Sequence, residues 1–152
     1  MHITSSSIES GRIRKEHACR AKGGTDQTPQ LSVEDIPFEG KYVSIVADDP
    51  DAVRPAGKVW VHWNVFNVPV TGRLILDAGQ PPSGEVGATS GQGRGYEGPC
   101  PPDGEHTYRF AAFATTDKVK IDTSEPWTID AFEVKYGSLV VGKALLTGRF
   151  GP

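Results

Sequence analysis

An antiparallel β-sandwich with one helix near the C-terminus is the fold this chain predicts, and three observations point to it. Runs rich in Val, Ile, Trp, Tyr and Phe alternate with period 2, as half-buried strands do. Clusters of Gly, Pro and Asp interrupt those runs, which is hairpin chemistry and not the long crossover of a βαβ unit. Only one late stretch carries apolar residues at helical spacing. The 152 residues suit a single domain, 1–152, with a core large enough to dispense with disulfides or metals.

In chain order, a short strand is expected near Met1 to Ile8, followed by the polar stretch GRIRKEHACRAKGGTDQTP, read as loop. Its basic residues Arg12, Arg14, Lys15, Arg20 and Lys22 read as a solvated segment, with a small anion-attracting patch as the sharper alternative. KYVSIVAD at 41–48 is a strand, and DDPDAVRPAG stops it with Pro50, Pro55 and Gly57. KVWVHWNVFNVP is the next strand. Strict alternation puts Val59, Val61, Trp63 and Val65 on a core face and Trp60, His62, Asn64 and Phe66 on a mixed face suited to a pocket wall. LILDAG adds a short strand. Residues 80–105 show no period, and a loop of that length in a compact domain is usually functional or disordered. TYRFAAFATTD is a strand with His106, Tyr108, Phe110 and Ala112 on one side. A helix is expected over 128–145, with Asp130 and Glu133 as a capping box and Phe132, Tyr136, Leu139, Val140 and Ala144 as its apolar stripe; TGRF closes the sheet.

Composition excludes several classes of function. A net charge of −3 gives no general attraction to nucleic acid or anionic membranes, and no apolar run is long enough for an integral membrane protein. The N-terminus lacks a basic region followed by an apolar run, so a cytoplasmic protein is the expectation. Gly93, Gly95 and Gly98 satisfy G-x-G-x-x-G, but Pro-Cys-Pro-Pro follows where a dinucleotide fold needs a helix, so no cofactor is expected. Cys19 and Cys100 are the only cysteines and match no zinc module. Two reduced, partly buried thiols are the first expectation, and a single bridge from an early loop to the Gly/Pro loop is the alternative.

The chemistry-bearing residues are Asp49, Asp51, His62, His106 and Tyr108. Asp-Pro-Asp in extended form presents two carboxylates on one side. His106 and Tyr108, two apart on a strand, reach one spot from about 7 Å apart, just where the rigid loop GYEGPCPPDGE ends. Each has a plainer reading: the aspartates as turn caps, His62 as a satisfied semi-buried histidine, His106 and Tyr108 as a packed corner.

The stretch DDPDA, then W-x-H-W at Trp60 to Trp63, then GYEGPCPP leading to H-x-Y at His106 to Tyr108, resembles the phosphatidylethanolamine-binding proteins, the family that includes the Raf kinase inhibitor protein. The resemblance spans nearly the whole chain and is closest to the short bacterial and archaeal members. It implies a sandwich of antiparallel sheets and a small pocket for phosphate, phosphoethanolamine and similar small anions or phosphorylated headgroups. By the same resemblance the ligand-binding residues are Asp49, Asp51, His62, Pro101, Pro102, His106 and Tyr108. Regulation of a kinase or protease by docking and a homodimer are further implications. Val53 stands where the family usually has proline.

An anion beside two aspartates meets like charge. Either the carboxylates favour a doubly donating imidazolium, or a zwitterionic ligand brings an ammonium to them. Two other classes use the same residues: an Asp/His acid–base hydrolase or lyase, and a metal protein on Asp49, Asp51, His62 and His106. The resemblance argues against metal, and no serine or cysteine nucleophile is evidently paired with a base.

Overall fold

The structure, a computed structural model, describes residues 1–152. In chain order the elements are β1 (His2–Thr4), β2 (Ile8–Glu9), β3 (Arg12–Ile13), β4 (Leu31–Glu34), β5 (Tyr42–Asp49), the single-turn α1 (Val53–Ala56), β6 (Trp60–Pro69), β7 (Leu74–Leu76), β8 (Glu85–Val86), β9 (His106–Thr115), α2 (Ile129–Tyr136) and β10 (Val140–Phe150). They form a three-stranded sheet, β1-β4-β7, packed on a seven-stranded sheet, β2-β3-β10-β9-β5-β6-β8. Every pair is antiparallel except β3 with β10. The predicted mainly β sandwich is the observed one.

The expected strand at Met1 to Ile8 is two strands, β1 and β2, one in each sheet. β5, β6 and β9 are the centre of the large sheet and are covered on both faces. On one face Val43, Ile45, Ala47, Val65, Phe110 and Ala112 pack against Ile3, Leu31 and Val33 of the small sheet. On the other, Val46, Phe66, Ala111 and Phe113 pack beneath Ile129, Phe132 and Tyr136 of α2, with Phe113 and Phe132 rings 4.6 Å apart. These central strands are therefore buried on both faces, where their alternation suggested half-buried strands.

The expected helix over 128–145 is shorter. α2 ends at Tyr136, a 3-10 turn covers Gly137–Leu139, and residues 140–150 form the longest strand, paired with β9 along its length. Two glycines and two β-branched residues weaken the helix there, and the β9 ladder offers those backbone groups partners that helix would not. Gly142 lies so close to Pro37 that a Cβ would come within 2.9 Å of the ring. The cap also differs: Thr128, not Asp130, is the N-cap, and its hydroxyl accepts from the Ala131 N–H at 3.1 Å.

Asp48 joins the sheet to this helix. It is fully buried, accepts a two-pronged pair from Arg109 at 2.7 and 2.8 Å, and accepts the Ile129 N–H at 2.9 Å at the helix start. The cysteines are not free. Cys19 and Cys100 form a disulfide across 81 residues of sequence, which corrects the leading expectation of two thiols. Around it the Cys19 N–H donates to the Pro99 carbonyl, the Gly98 N–H to Asp26 and the Tyr96 hydroxyl to the His17 carbonyl. The long polar segment after β3 is thereby clamped to the Gly/Pro loop, which compartment arguments alone could not foresee.

Two stability measurements check these joints. Asp48→Ala leaves Arg109 with only the exposed Asp130 at 3.9 Å and strips the buried Ile129 N–H of its acceptor, and should cost about 3–5 kcal/mol by urea denaturation; a change under ~1 kcal/mol would contradict this. Reducing the disulfide releases a loop of about 80 residues and should cost ~4 kcal/mol, whereas unreduced, unfolded protein should show no titratable thiol.

Candidate functional site

His62 reaches the site through a β-bulge. Trp63 of β6 pairs with Ala47 of β5 and Val61 pairs with Asp48, so His62 is an extra residue with no partner. Beyond the bulge the alternation shifts by one, and Trp60 and His62 join the face that carries Asp49, His106 and Tyr108. Without it His62 would share the opposite face with Asn64 and Phe66, beneath α2. The expected mixed wall is therefore split. Asn64 hydrogen-bonds the Trp127 backbone and Phe66 stacks on Phe132, both away from the site.

The site is a cavity of about 210 Å³. Strands supply Asp49, Trp60, His62, His106 and Tyr108; the turn after β5 supplies Ala52, Pro55 and Ala56; the Gly/Pro loop supplies Glu97, Cys100, Pro101 and Pro102. His106 and Tyr108 share a face of β9 as predicted, rings 6.2 Å apart, and His62 meets Tyr108 edge-on at 5.2 Å.

Burial and hydrogen bonding together set the charge of each group. The His62 Nδ1–H donates to the Glu97 carbonyl at 2.6 Å, and burial holds its pKa below the usual histidine value, against the pull of that bond. His62 is thus neutral, with a lone pair on Nε2. His106 behaves oppositely. Burial opposes its charge, but hydrogen bonds to Asp49 at 2.6 Å and Asp103 at 2.5 Å outweigh it and raise the pKa. It is an imidazolium with both N–H groups on carboxylates. Burial and the nearby Asp49 raise the Tyr108 pKa, so its hydroxyl keeps its proton. That hydroxyl is buried and meets no partner in the protein. The Glu97 carboxylate is held by the Trp60 indole N–H at 2.8 Å and the Thr89 hydroxyl at 2.9 Å.

Six of the seven expected residues, Asp49, His62, Pro101, Pro102, His106 and Tyr108, line this cavity. Asp51 does not. It is exposed, accepts the Thr107 N–H at 2.8 Å, and lines an outer cleft with Arg54, Asp103 and Glu105, because a 3-10 turn over Pro50–Ala52 replaces the extended Asp-Pro-Asp. The four residues of the metal reading consequently do not surround one point. Trp60 lines the cavity as the expected pocket wall implied, whereas Glu97 and Asp103 were not foreseen; the tightness of the loop around Glu97 depends on Gly98, where a Cβ would lie 2.5 Å from the His17 carbonyl oxygen. Of the G-x-G-x-x-G glycines, Gly95 turns the chain at φ +91° and Gly98 allows this close approach to the His17–Ala18 backbone. Arg12, Lys15 and Lys22 gather with Arg149 around a separate open cleft, exposed to solvent as expected of a solvated segment.

A family profile for phosphatidylethanolamine-binding proteins matches residues 4–151, and the chain belongs to that family. A UPF0098 protein of Methanothermobacter thermautotrophicus is 37% identical over 145 residues, covering 92% of this chain and 91% of that protein. Escherichia coli YbhB is 29% identical, with 99% of each chain covered. Among solved structures, a putative phosphatidylethanolamine-binding protein homologue of Chlamydia trachomatis superposes with a TM-score of 0.80 at 31% identity, over 99% of this chain and 97% of that one. E. coli YbcL, described as a member of the mammalian family, gives 0.81 at 25% identity, over 99% and 98%.

The two histidines set opposite pH limits. A raised His106 pKa contributes stability that is complete below the unfolded value near 6.5 and is lost as pH rises through the folded value. A lowered His62 pKa costs stability as pH falls below about 6.5, where the unfolded chain takes up the proton first. Denaturation from about pH 5 to about pH 9 should show both limbs, and His106→Gln should lose the alkaline one. An imidazole NMR titration with His106 neutral at neutral pH would contradict the assignment.

Proposed function

We propose that this protein binds the phosphorylated headgroup of a small molecule or lipid, with the Tyr108 hydroxyl as a donor to the phosphate. The observation that carries this reading is the orphaned hydroxyl itself. A buried O–H without a partner costs about 1–3 kcal/mol, and a ligand oxygen in the cavity removes that cost. The cavity suits a headgroup rather than a drug-sized molecule, for which pockets of roughly 300–1,000 Å³ are usual. A ligand carrying an ammonium suits it better than a bare anion, since Asp49 and Glu97 in the lining, with Asp103 beyond His106 in the outer cleft, outnumber the His106 charge.

Binding is favoured over acid–base catalysis by the lining. It holds no serine, threonine or lysine, and Cys100 is closed in the disulfide. Regulation of a kinase or protease, and a homodimer, rest on the family and not on this cavity. No helix is long and apolar enough to cross a membrane. Cytoplasmic residence fits the disulfide only in organisms whose cytoplasm sustains such bridges.

Tyr108→Phe tests the reading. Titration calorimetry with phosphoethanolamine should show roughly tenfold weaker binding, because a hydrogen bond to a charged group is worth about 1.5–3 kcal/mol. The melting temperature should stay level or rise, since the variant removes an unpaired polar group. Unchanged affinity with a fallen melting temperature would make Tyr108 structural.

A further inference from the structure

The geometry points to Asp103 as the residue that makes this pocket select zwitterionic phosphorylated headgroups over bare anions. It holds His106 until a ligand phosphate takes its place, then pairs with the ligand's ammonium. The inference rests on the headgroup reading above and assigns its selectivity.

Both N–H groups of His106 are occupied, so as it stands the imidazolium offers no donor to a ligand. One carboxylate must leave, and the two are not equivalent. Asp49 is 3% exposed, and its second oxygen accepts the Asp51 N–H at 2.9 Å, which locks it into the turn after β5. Asp103 lies in the outer cleft, which shares His106 with the cavity; its side chain is 35% exposed and bonds nothing but His106. The next residue, Gly104, has φ +124° and open space where a Cβ would be, so no side chain there packs Asp103 in place. Asp103 is the exchangeable partner.

The exchange is balanced for a zwitterion. Before binding, Asp103 pairs with His106; afterwards the phosphate pairs with His106 and the ammonium with Asp103, and no proton moves. For a bare anion the released carboxylate stays unpaired beside a second negative charge, with Asp49 and Glu97 also near. Besides His106, the outer cleft is lined by one cation, Arg54, an exposed side chain whose role is separable by mutation.

The test is calorimetry of the full chain with phosphoethanolamine and with ethyl phosphate, which matches it in size but lacks the ammonium. Wild type should prefer phosphoethanolamine. Asp103→Asn should bind ethyl phosphate roughly fivefold more tightly, gain nothing for phosphoethanolamine, and bring the ratio toward one. Arg54→Ala should leave the wild-type ratio intact. An equal ratio in wild type and Asp103→Asn overturns the inference while headgroup binding stands, as does a ratio lost in Arg54→Ala. Failure of wild type to bind either ligand, or indifference of both to Tyr108→Phe, overturns the headgroup reading and this inference together.

Discussion

The register of β6 against β5 is the constraint from which the site follows. Side chains alternate across a sheet, so one residue's slip decides which of two buried faces receives a polar group. The unpaired His62 makes that slip, keeping Trp63 and Val65 in the core between the sheets while turning Trp60 and His62 toward Asp49, His106 and Tyr108. Because α2 covers the other face, an unbulged strand would place the imidazole in an apolar layer with Phe66, Phe113 and Phe132.

The loop depends on that register in turn. Glu97 accepts the His62 Nδ1–H through its carbonyl and donates its own N–H to the His62 carbonyl at 2.8 Å, extending β6 by a two-pronged link. The disulfide and the bonds at Pro99, Gly98 and Tyr96 fasten the same loop from outside. A rim of prolines held at both ends loses little conformational freedom when a ligand arrives. Asp103 and Gly104 lie just past this clamp, so the carboxylate that holds His106 from the outer cleft sits where the restraint ends.

Much of this was legible in the sequence, for identifiable reasons. Period-2 alternation placed the central strands, and the i, i+2 rule put His106 and Tyr108 on one face as observed. Local rules misjudged 140–145, because helical spacing of Val140 and Ala144 also fits a strand whose partner, β9, lies about 30 residues earlier in the chain. Asp51 was misplaced because Pro50 begins a turn instead of extending the strand. The bulge left no local mark, and neither did the roles of Asp48, Glu97 and Asp103, which depend on partners 61, 35 and 3 residues away, the last across a turn. Pairing of the cysteines is a tertiary fact that their spacing leaves open.

The central claim is that the cavity is a headgroup site built around an unpartnered hydroxyl. A crystal structure of the protein grown with phosphoethanolamine tests it most directly. The account predicts a phosphate oxygen within hydrogen-bonding distance of the Tyr108 Oη, with His62 and Pro101 beside it and the disulfide rim unmoved. An empty cavity with the ligand bound elsewhere, or a Tyr108 hydroxyl already satisfied by a protein group, would contradict it.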